Sequence, residues 1–185
     1  FITVAEELGL TRYVDLHIIG QALKLTPPEY ALFLNVDITS FNDKDFVGEL
    51  SQLLKPACEE GRSITIEITE RETIPLSDSL HQDIQSLRAL GCQLALDDFG
   101  SGYSTYNFLN QFRPDYLKIE GSFVRGMLRN ESDRKIVTHI HELATSFGMK
   151  TIAESVEDAA TERALQEIGI HTAQGLFYGA PRLAS

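Results

Sequence analysis

Short runs of apolar residues recur along the chain, and longer segments with a helical repeat of apolar positions separate most of them. The runs have the length and composition of buried strands. They cover residues 32–36, 64–68, 93–96, 116–119 and 150–153, with a weaker one at 172–174. The helical patterns cover residues 13–25, 46–54, 80–90 and 133–147. Strands that alternate with helices predict an α/β fold with parallel strands.

Two of these helical signals are specific enough to place a face or an end. In residues 133–147, Ile136, Ile140, Leu143 and Phe147 recur at helical spacing and predict one apolar stripe. Ser155, followed three residues later by Asp158, is typical of a capping box. It predicts another helix directly after the strand at 150–153.

Polar residues within or just after the predicted strands bear on the architecture. An open doubly wound sheet gathers its site at one switch point, whereas a (β/α)8 barrel gathers strand ends from all round its mouth. Six different predicted strands each contribute one polar residue: Asn35, Glu67, Asp97, Lys118, Glu154 and Gln174. This spread favours the barrel, although the strands predicted here are too few to close one.

Composition narrows the possibilities further. The 185 residues predict one domain, 1–185, and 43% hydrophobic with 23% charged residues indicates a folded globular chain. Acidic residues outnumber basic ones by 27 to 16, which argues against a nucleic-acid polymer as the main partner. There is no apolar stretch of membrane-spanning length and no basic start of a signal peptide, so we interpret the chain as cytoplasmic, without direct membrane contact. Cys58 and Cys92 are interpreted as two buried thiols.

The strongest chemical signal is a pair of adjacent carboxylates, Asp97 and Asp98, which end an apolar strand and precede a glycine-containing loop. Adjacent like charges are unfavourable unless something neutralises them. Mg²⁺ or Mn²⁺ is the usual cation for a carboxylate-rich site that keeps waters for a substrate. A solvated turn that caps the following helix is the alternative, and it stays open at this point.

Other charged residues also have two interpretations. Glu67 lies on the strand face opposite Ile66 and Ile68, which is either a barrel lumen or an ordinary polar outer face. Glu154 and Glu157 either belong to a site or are acids at a helix N-terminus. Lys118 interrupts a buried strand and therefore needs carboxylates or a phosphate as partners. Converging in a barrel, these groups suit metal-assisted phosphodiester hydrolysis.

Several motifs together resemble the EAL domain of cyclic-di-GMP phosphodiesterases. Residues 1–10 are similar to the family segment FIxxAExxGL, and residues 97–104 read DDFGSGYS, similar to the loop DDFGxGYS. Further similar segments follow in family order at residues 67–70, 115–119, 153–157 and 174–175. The resemblance implies a modified TIM (β/α)8 barrel that hydrolyses cyclic-di-GMP to linear pGpG with two Mg²⁺ or Mn²⁺ ions.

The resemblance also implies roles for individual residues. The metal ligands would be Asn35, Glu67, Asp97 and Asp98, with Asp97 bridging the two ions and Asp98 also close to substrate.

Around these ligands, a catalytic set would include Lys118, which orients the water, and Glu154, a ligand of the second ion or a general base. Glu157 and Gln174 would support the water and substrate network. Glu70 would anchor the loop of residues 98–104, which in this family couples the site to dimerisation.

The sequence departs from the family pattern in three places. The Glu-Ala-Leu signature lies upstream of the FIxxAE segment in the family, so the first strand and its carboxylate are missing from this chain, and the barrel is expected to be incomplete. Asp37 and Ser40 replace common Ser and Gln, and Glu120 replaces Asp after Lys118. We expect this chain alone to be weakly active or inactive, with activity restored by adding the strand.

Partners follow from the same resemblance. A homodimer is implied, as is fusion to sensory or diguanylate-cyclase domains in a longer bacterial signalling protein, which itself could be anchored in a membrane. The alternative to an enzyme is a catalytically silent cyclic-di-GMP receptor, which would lack metal-ligand carboxylates or carry an altered DDFG loop. A purely structural interaction domain would require the polar strand-end residues to be coincidental.

Overall fold

The computed structural model describes residues 5, 8–69, 77–100, 109 and 112–182. These residues form two compact units. The first contains residues 8–69 and 77–94, and the second contains residues 95–100 and 112–182.

The first unit consists of alternating helices and strands. Its helices are α1 (Thr11–Leu25), α2 (Phe46–Glu59) and α3 (Asp78–Ala89), and its strands are β1 (Leu32–Val36) and β2 (Ile64–Thr69), with a 3₁₀ helix at Ile38–Asn42. β1 and β2 are parallel, and their register places Asn35 beside Glu67. β1 alternates buried and exposed residues, whereas β2 is buried on both faces up to Thr69.

Amphipathic helices build the core of this unit. In α2, Phe46, Leu50 and Leu54 recur every four residues and are fully buried. In α3, Leu80, Ile84 and Leu87 follow at spacings of four and three residues, which also lie on one helical face, and they are buried as well. The helices predicted at residues 46–54 and 80–90 are therefore confirmed.

The second unit contains the end of β3 and the elements that follow it. β3 is Gln93–Phe99, and next come β4 (Tyr116–Ile119), α4 (Gly121–Gly126), α5 (Glu131–Ser146), β5 (Lys150–Ala153), α6 (Ala159–Ile168) and β6 (Thr172–Ala173). β4 pairs with β3, β5 with β4 and β6 with β5, all in parallel. The strand order follows the chain without reversal, as in a (β/α) barrel and unlike a doubly wound sheet.

The core of the second unit packs α5 against the strands. Val137, Ile140 and Ala144 are its buried residues, and they join a cluster with Leu117 and Ile119 of β4. The buried face of α5 is therefore rotated around the helix axis relative to the apolar stripe predicted from the sequence. Ile136 and Leu143 are only partly buried at its edges. Phe147, which caps the helix C-terminus, is 42% exposed, so its assignment to the apolar stripe was wrong.

The predicted capping box at Ser155 was also wrong. Helix α6 begins at Ala159, and its N-cap is Asp158, whose carboxylate accepts a hydrogen bond from the Thr161 N–H at 2.7 Å. An N-cap residue has extended backbone angles, which Asp158 has. Ser155 instead has φ +55°, in the left-handed region, and lies in the turn that follows β5.

Both cysteines are free thiols, and they lie in the first unit. Cys92 is buried and Cys58 is half-buried, with their sulfur atoms 3.8 Å apart. None of the described helices combines the length and the hydrophobicity needed to cross a bilayer.

Candidate metal and catalytic site

A buried lysine organises the polar groups of the second unit. Lys118 lies in the middle of β4 and is only 3% exposed. Its ammonium group is 2.8 Å from Oδ1 of Asp97 on β3 and 2.7 Å from Oε1 of Glu154, which follows β5. The sequence indicated that a lysine in this strand needs carboxylates or a phosphate as partners, and adjacent strand ends supply carboxylates.

A β-bulge in β3 explains how two adjacent aspartates contribute to one site. Leu96 pairs with Leu117 and Phe99 with Ile119, so two residues of β3 occupy the interval that Lys118 alone occupies in β4. Adjacent residues of a regular strand would point to opposite faces. The extra residue breaks this alternation, and Asp98 adopts φ +55° at the bulge.

Three carboxylates come together as a result. One oxygen from each of Asp97, Asp98 and Glu154 lies within 4.8 Å of the others, and all three residues are half-buried. Oxygen-only ligands in this arrangement suit hard divalent cations such as Mg²⁺, Mn²⁺ and Ca²⁺. The donor set therefore fits a divalent metal, and both aspartates lie within β3.

Glu154 receives two hydrogen bonds on the same oxygen atom. Its Oε1 accepts from the Lys118 ammonium group and, at 2.8 Å, from Nε2 of Gln174, which follows β6. Burial raises the pKa of Glu154; the Lys118 ammonium group opposes this effect and the Asp97 carboxylate adds to it. Gln174 thus holds the carboxylate from one side while Lys118 holds it from the other.

The two candidate ligands of the first unit are neighbours on its pair of strands. Asn35 on β1 is the register partner of Glu67 on β2. Asn35 is exposed, whereas Glu67 is only 5% exposed. A polar outer face would leave Glu67 in solvent, so that alternative from the sequence does not describe this residue.

The remaining candidates are less informative. Glu157 is exposed in the segment that leads to α6. Glu70 and residues 101–104 of the DDFGSGYS loop lie outside the described residues. Sequence reasoning missed the bulge, whose only signal was a pair of adjacent acids in an otherwise apolar strand.

Comparison with known proteins identifies the class of this chain. A family model described as the EAL domain matches residues 1–181. The chain therefore belongs to the EAL domain family. Its α/β fold, with parallel strands in chain order, is that of an incomplete TIM barrel and agrees with the solved EAL structures it resembles.

Individual relatives are known in more detail. Cyclic di-GMP phosphodiesterase PdeF of Escherichia coli is 35% identical over 188 residues, a match that covers 98% of this chain and 25% of PdeF. The EAL domain of Mycobacterium smegmatis DcpA has a TM-score of 0.78 at 30% identity, covering 98% of this chain and 82% of that structure.

A third relative was solved with metal and ligand. Klebsiella pneumoniae BlrP1 in its calcium/cyclic-di-GMP complex has a TM-score of 0.80 at 30% identity, covering 95% of this chain and 45% of that one. The same protein was also solved as a manganese/cyclic-di-GMP complex. The chain spans about a quarter of the length of the first two curated relatives that it matches.

Proposed function

We propose that this chain is the catalytic domain of a metal-dependent phosphodiesterase that hydrolyses cyclic-di-GMP to linear pGpG. One observation carries the proposal: buried Lys118 bridges Asp97 and Glu154, in a cluster where Asp98 brings a third carboxylate within 4.8 Å. Membership of the EAL family and the names of the relatives support the same substrate.

The reaction adds water across one phosphodiester bond. The water oxygen forms a bond to phosphorus, the bond from phosphorus to the 3′-oxygen breaks, and that oxygen receives a proton. The product keeps its phosphate on the 5′-oxygen and is therefore linear pGpG. Negative charge increases on the phosphoryl oxygens during this step, so nearby positive charge stabilises the transition state.

Lys118 is the residue placed to supply that charge and to orient the water. Its stem is buried and its ammonium group is held by two carboxylates, so little reorganisation is needed during the reaction. Glu154, fixed by Lys118 and Gln174, acts as a metal ligand or as the base that takes a proton from the water. Gln174 and Asp98 contact substrate, Glu157 supports the network of water and substrate together with Gln174, and Glu70 anchors the loop of residues 98–104.

Asp97, Asp98 and Glu154 are the second unit's ligands for Mg²⁺ or Mn²⁺. A bound divalent ion would supply Lewis-acid stabilisation of the phosphoryl charge and a more acidic water. By their resemblance to the EAL family pattern, Asn35 and Glu67 are proposed as further metal ligands, and two ions are proposed for the complete domain. Calcium and manganese complexes of BlrP1 support a divalent-ion requirement.

The assembly belongs to the same proposal. The chain is one domain of a longer bacterial signalling protein that acts as a homodimer in the cytoplasm. The length of the relatives supports a longer parent protein, because the matched region is only 25% of PdeF.

The test is turnover of cyclic-di-GMP with Mg²⁺ and with Mn²⁺, with pGpG resolved by chromatography. It should use this chain and a chain extended upstream, together with Asp97→Asn. Asp78→Asn, an exposed aspartate in the first turn of α3, is the matched control. We expect pGpG from the extended chain, a loss of at least about 100-fold in Asp97→Asn and no loss in Asp78→Asn.

The receptor alternative gives the opposite result. Calorimetric titration of cyclic-di-GMP in Ca²⁺ measures binding without requiring turnover. Tight binding by the extended chain, with no pGpG under either Mg²⁺ or Mn²⁺, would contradict hydrolysis and support a silent receptor.

A further inference from the structure

The backbone that carries Glu154 is held on both sides by the strands that supply its partners. The Glu154 N–H donates to the carbonyl oxygen of Ile119 at 3.3 Å, one residue after Lys118. The Val156 N–H donates to the carbonyl oxygen of Gln174 at 3.0 Å. The position of the turn at residues 154–156 therefore sets both distances from Glu154 Oε1, to Lys118 and to Gln174.

Gly175 lies against this turn. A Cβ at position 175 would overlap the backbone nitrogen and oxygen of Val156, well inside the 3.0 Å that real Cβ contacts respect. Those same two atoms bond to Gln174 and Phe177, since the Phe177 N–H donates to the Val156 oxygen at 3.0 Å. Because the obstacles are backbone atoms, no change of rotamer can make room, and the turn itself would have to move.

Gly121 lies against the same turn from the other side. It is the first residue of α4, shortly after β4, and a Cβ there would overlap Oγ of Ser155 and lie 2.8 Å from its Cβ. Ser155 itself has φ +55°, a conformation in which a residue with a side chain is held by its surroundings. Gly121 has no such positive φ, so its constraint is one of space alone.

We propose that Gly121 and Gly175 are positioning residues for Glu154, which fix the turn at residues 154–156 so that its carboxylate meets Lys118 and Gln174. This inference rests on the proposed function, in which Glu154 acts at the reacting phosphate or its metal. Neither glycine touches substrate. Each lacks a Cβ, and the turn at residues 154–156 packs into the space where that Cβ would be.

Gly175→Ala is the first test, and Gly179→Ala is its matched control. Gly179 has φ +150° and Gly175 φ +155°, so alanine strains both backbones alike, but a Cβ at 179 meets nothing within 4 Å. We expect Gly175→Ala to lower kcat for cyclic-di-GMP by about 100-fold with KM changed by less than about threefold. Gly179→Ala is expected to keep the wild-type kcat.

Gly121→Ala provides a second test with a built-in rescue. Ser155→Gly removes the Ser155 atoms that the new methyl group would overlap, and a glycine adopts φ +55° without strain. The other close atom, Nη1 of Arg125 at 2.9 Å, is the end of a flexible side chain and can move aside. We expect Gly121→Ala to lower kcat, Ser155→Gly alone to remain active, and the double variant to recover most of the loss. Gly48→Ala in α2, where a Cβ meets nothing within 4 Å, is the control for alanine at an uncrowded glycine.

Each variant is also titrated with Mn²⁺ by calorimetry and melted under circular dichroism, in the extended chain if that is the active form. Gly175→Ala is expected to bind Mn²⁺ about tenfold more weakly than Gly179→Ala. If Gly175→Ala does not fold, the inference is tested by comparing kcat of Gly121→Ala, of Ser155→Gly and of the double variant.

Two results overturn the inference: a folded Gly175→Ala with the kcat of Gly179→Ala, or a double variant no better than Gly121→Ala. Failure of the proposed function is a different result, because the wild type would then produce no pGpG. The Mn²⁺ titration still tests the inference in that case, and equal affinities of Gly175→Ala and Gly179→Ala would reject it.

Discussion

Lys118 offsets the negative charge of two carboxylates that are largely shielded from solvent. Its side chain is 4% exposed, and those of Asp97 and Glu154 are 13% exposed. Removing one partner of a buried ion pair leaves an uncompensated charge, which costs far more than the pair itself contributes. The stability of the second unit is therefore tied to the residue proposed to act in catalysis.

Lys118→Met keeps the length of the side chain and removes its charge. Without metal, we expect the free energy of unfolding to fall by about 3 kcal/mol, because Asp97 and Glu154 then repel each other. Lys135→Met is the control, since its pair with Glu131 is exposed and such pairs contribute less than about 1 kcal/mol. Urea titration measures both, and equal losses in the two variants would contradict this account.

The two cysteines are expected to differ in reactivity. Burial raises the pKa of the Cys92 thiol to about 12, with Cys58 close by adding to the effect, so almost no thiolate forms at neutral pH. Iodoacetamide at pH 8 should modify half-buried Cys58 first and leave Cys92 unmodified.

Mass spectrometry of the peptides measures the labelling, and denaturant supplies the control, because both residues should react once the chain unfolds. Rapid labelling of Cys92 in the native chain would show that its burial does not protect it.

At the level of elements, the hydrophobic pattern placed the strands well. β1, β4 and β5 have the predicted bounds. A short apolar run between polar turn residues marks both ends of a strand. β3 extends beyond the predicted run to Phe99, through both aspartates. A strand that ends in two acids breaks the apolar pattern, and only its pairing with β4 shows that it continues.

The start of α6 was misjudged because two residues compete for the same role. Ser155 and Asp158 are both good N-caps, and sequence alone ranks them about equally. Hydrogen bonds hold Glu154 and Val156 to the neighbouring chain segments, and Ser155 between them has φ +55°. Ser155 therefore lacks the extended backbone that an N-cap needs, and Asp158 caps the helix instead.

Asp158→Ala should lower the melting temperature at pH 7, since it removes the cap of α6. The Thr161 N–H lowers the pKa of Asp158 below its ordinary 3.8. The cap's ionic contribution is therefore present above pH 3.8 and is lost as the pH falls through the lower folded value. Asp158→Asn should melt close to the wild type at pH 7, because asparagine also caps well.

Melting curves at a series of pH values from 7 down to 3 check this. The gap between wild type and Asp158→Ala should narrow at the acidic end. A constant gap across the series would mean that the carboxylate charge contributes nothing.

At the level of the whole molecule, charge and metal binding are linked. The net charge is −11, so the folded chain repels itself and a bound cation reduces that repulsion. The sequence predicted an oxygen-ligand metal site from the acids of several strands. It could not predict that Lys118 joins two of them directly, because that depends on the pairing of β3, β4 and β5.

Mn²⁺ should stabilise the chain by binding its folded form. At 100 times the dissociation constant the gain is about 2.7 kcal/mol, visible as a rise in melting temperature. NaCl at matched ionic strength should produce a smaller rise, because it only screens charge. Asp97→Asn should lose the Mn²⁺ effect and Asp78→Asn should keep it. A rise that survives in Asp97→Asn would place the binding elsewhere.

The bulge in β3 has a consequence for how this sequence can change over evolutionary time. A lineage that abandons hydrolysis can replace Asp97 or Asp98 by substitution and keep the pairing of Phe99 with Ile119. Deleting either aspartate would instead remove the bulge, and the local bend and twist that it gives β3 before Phe99 would be lost. Degenerate descendants of this domain should therefore lose these acids by point substitution, while the length of the segment is preserved.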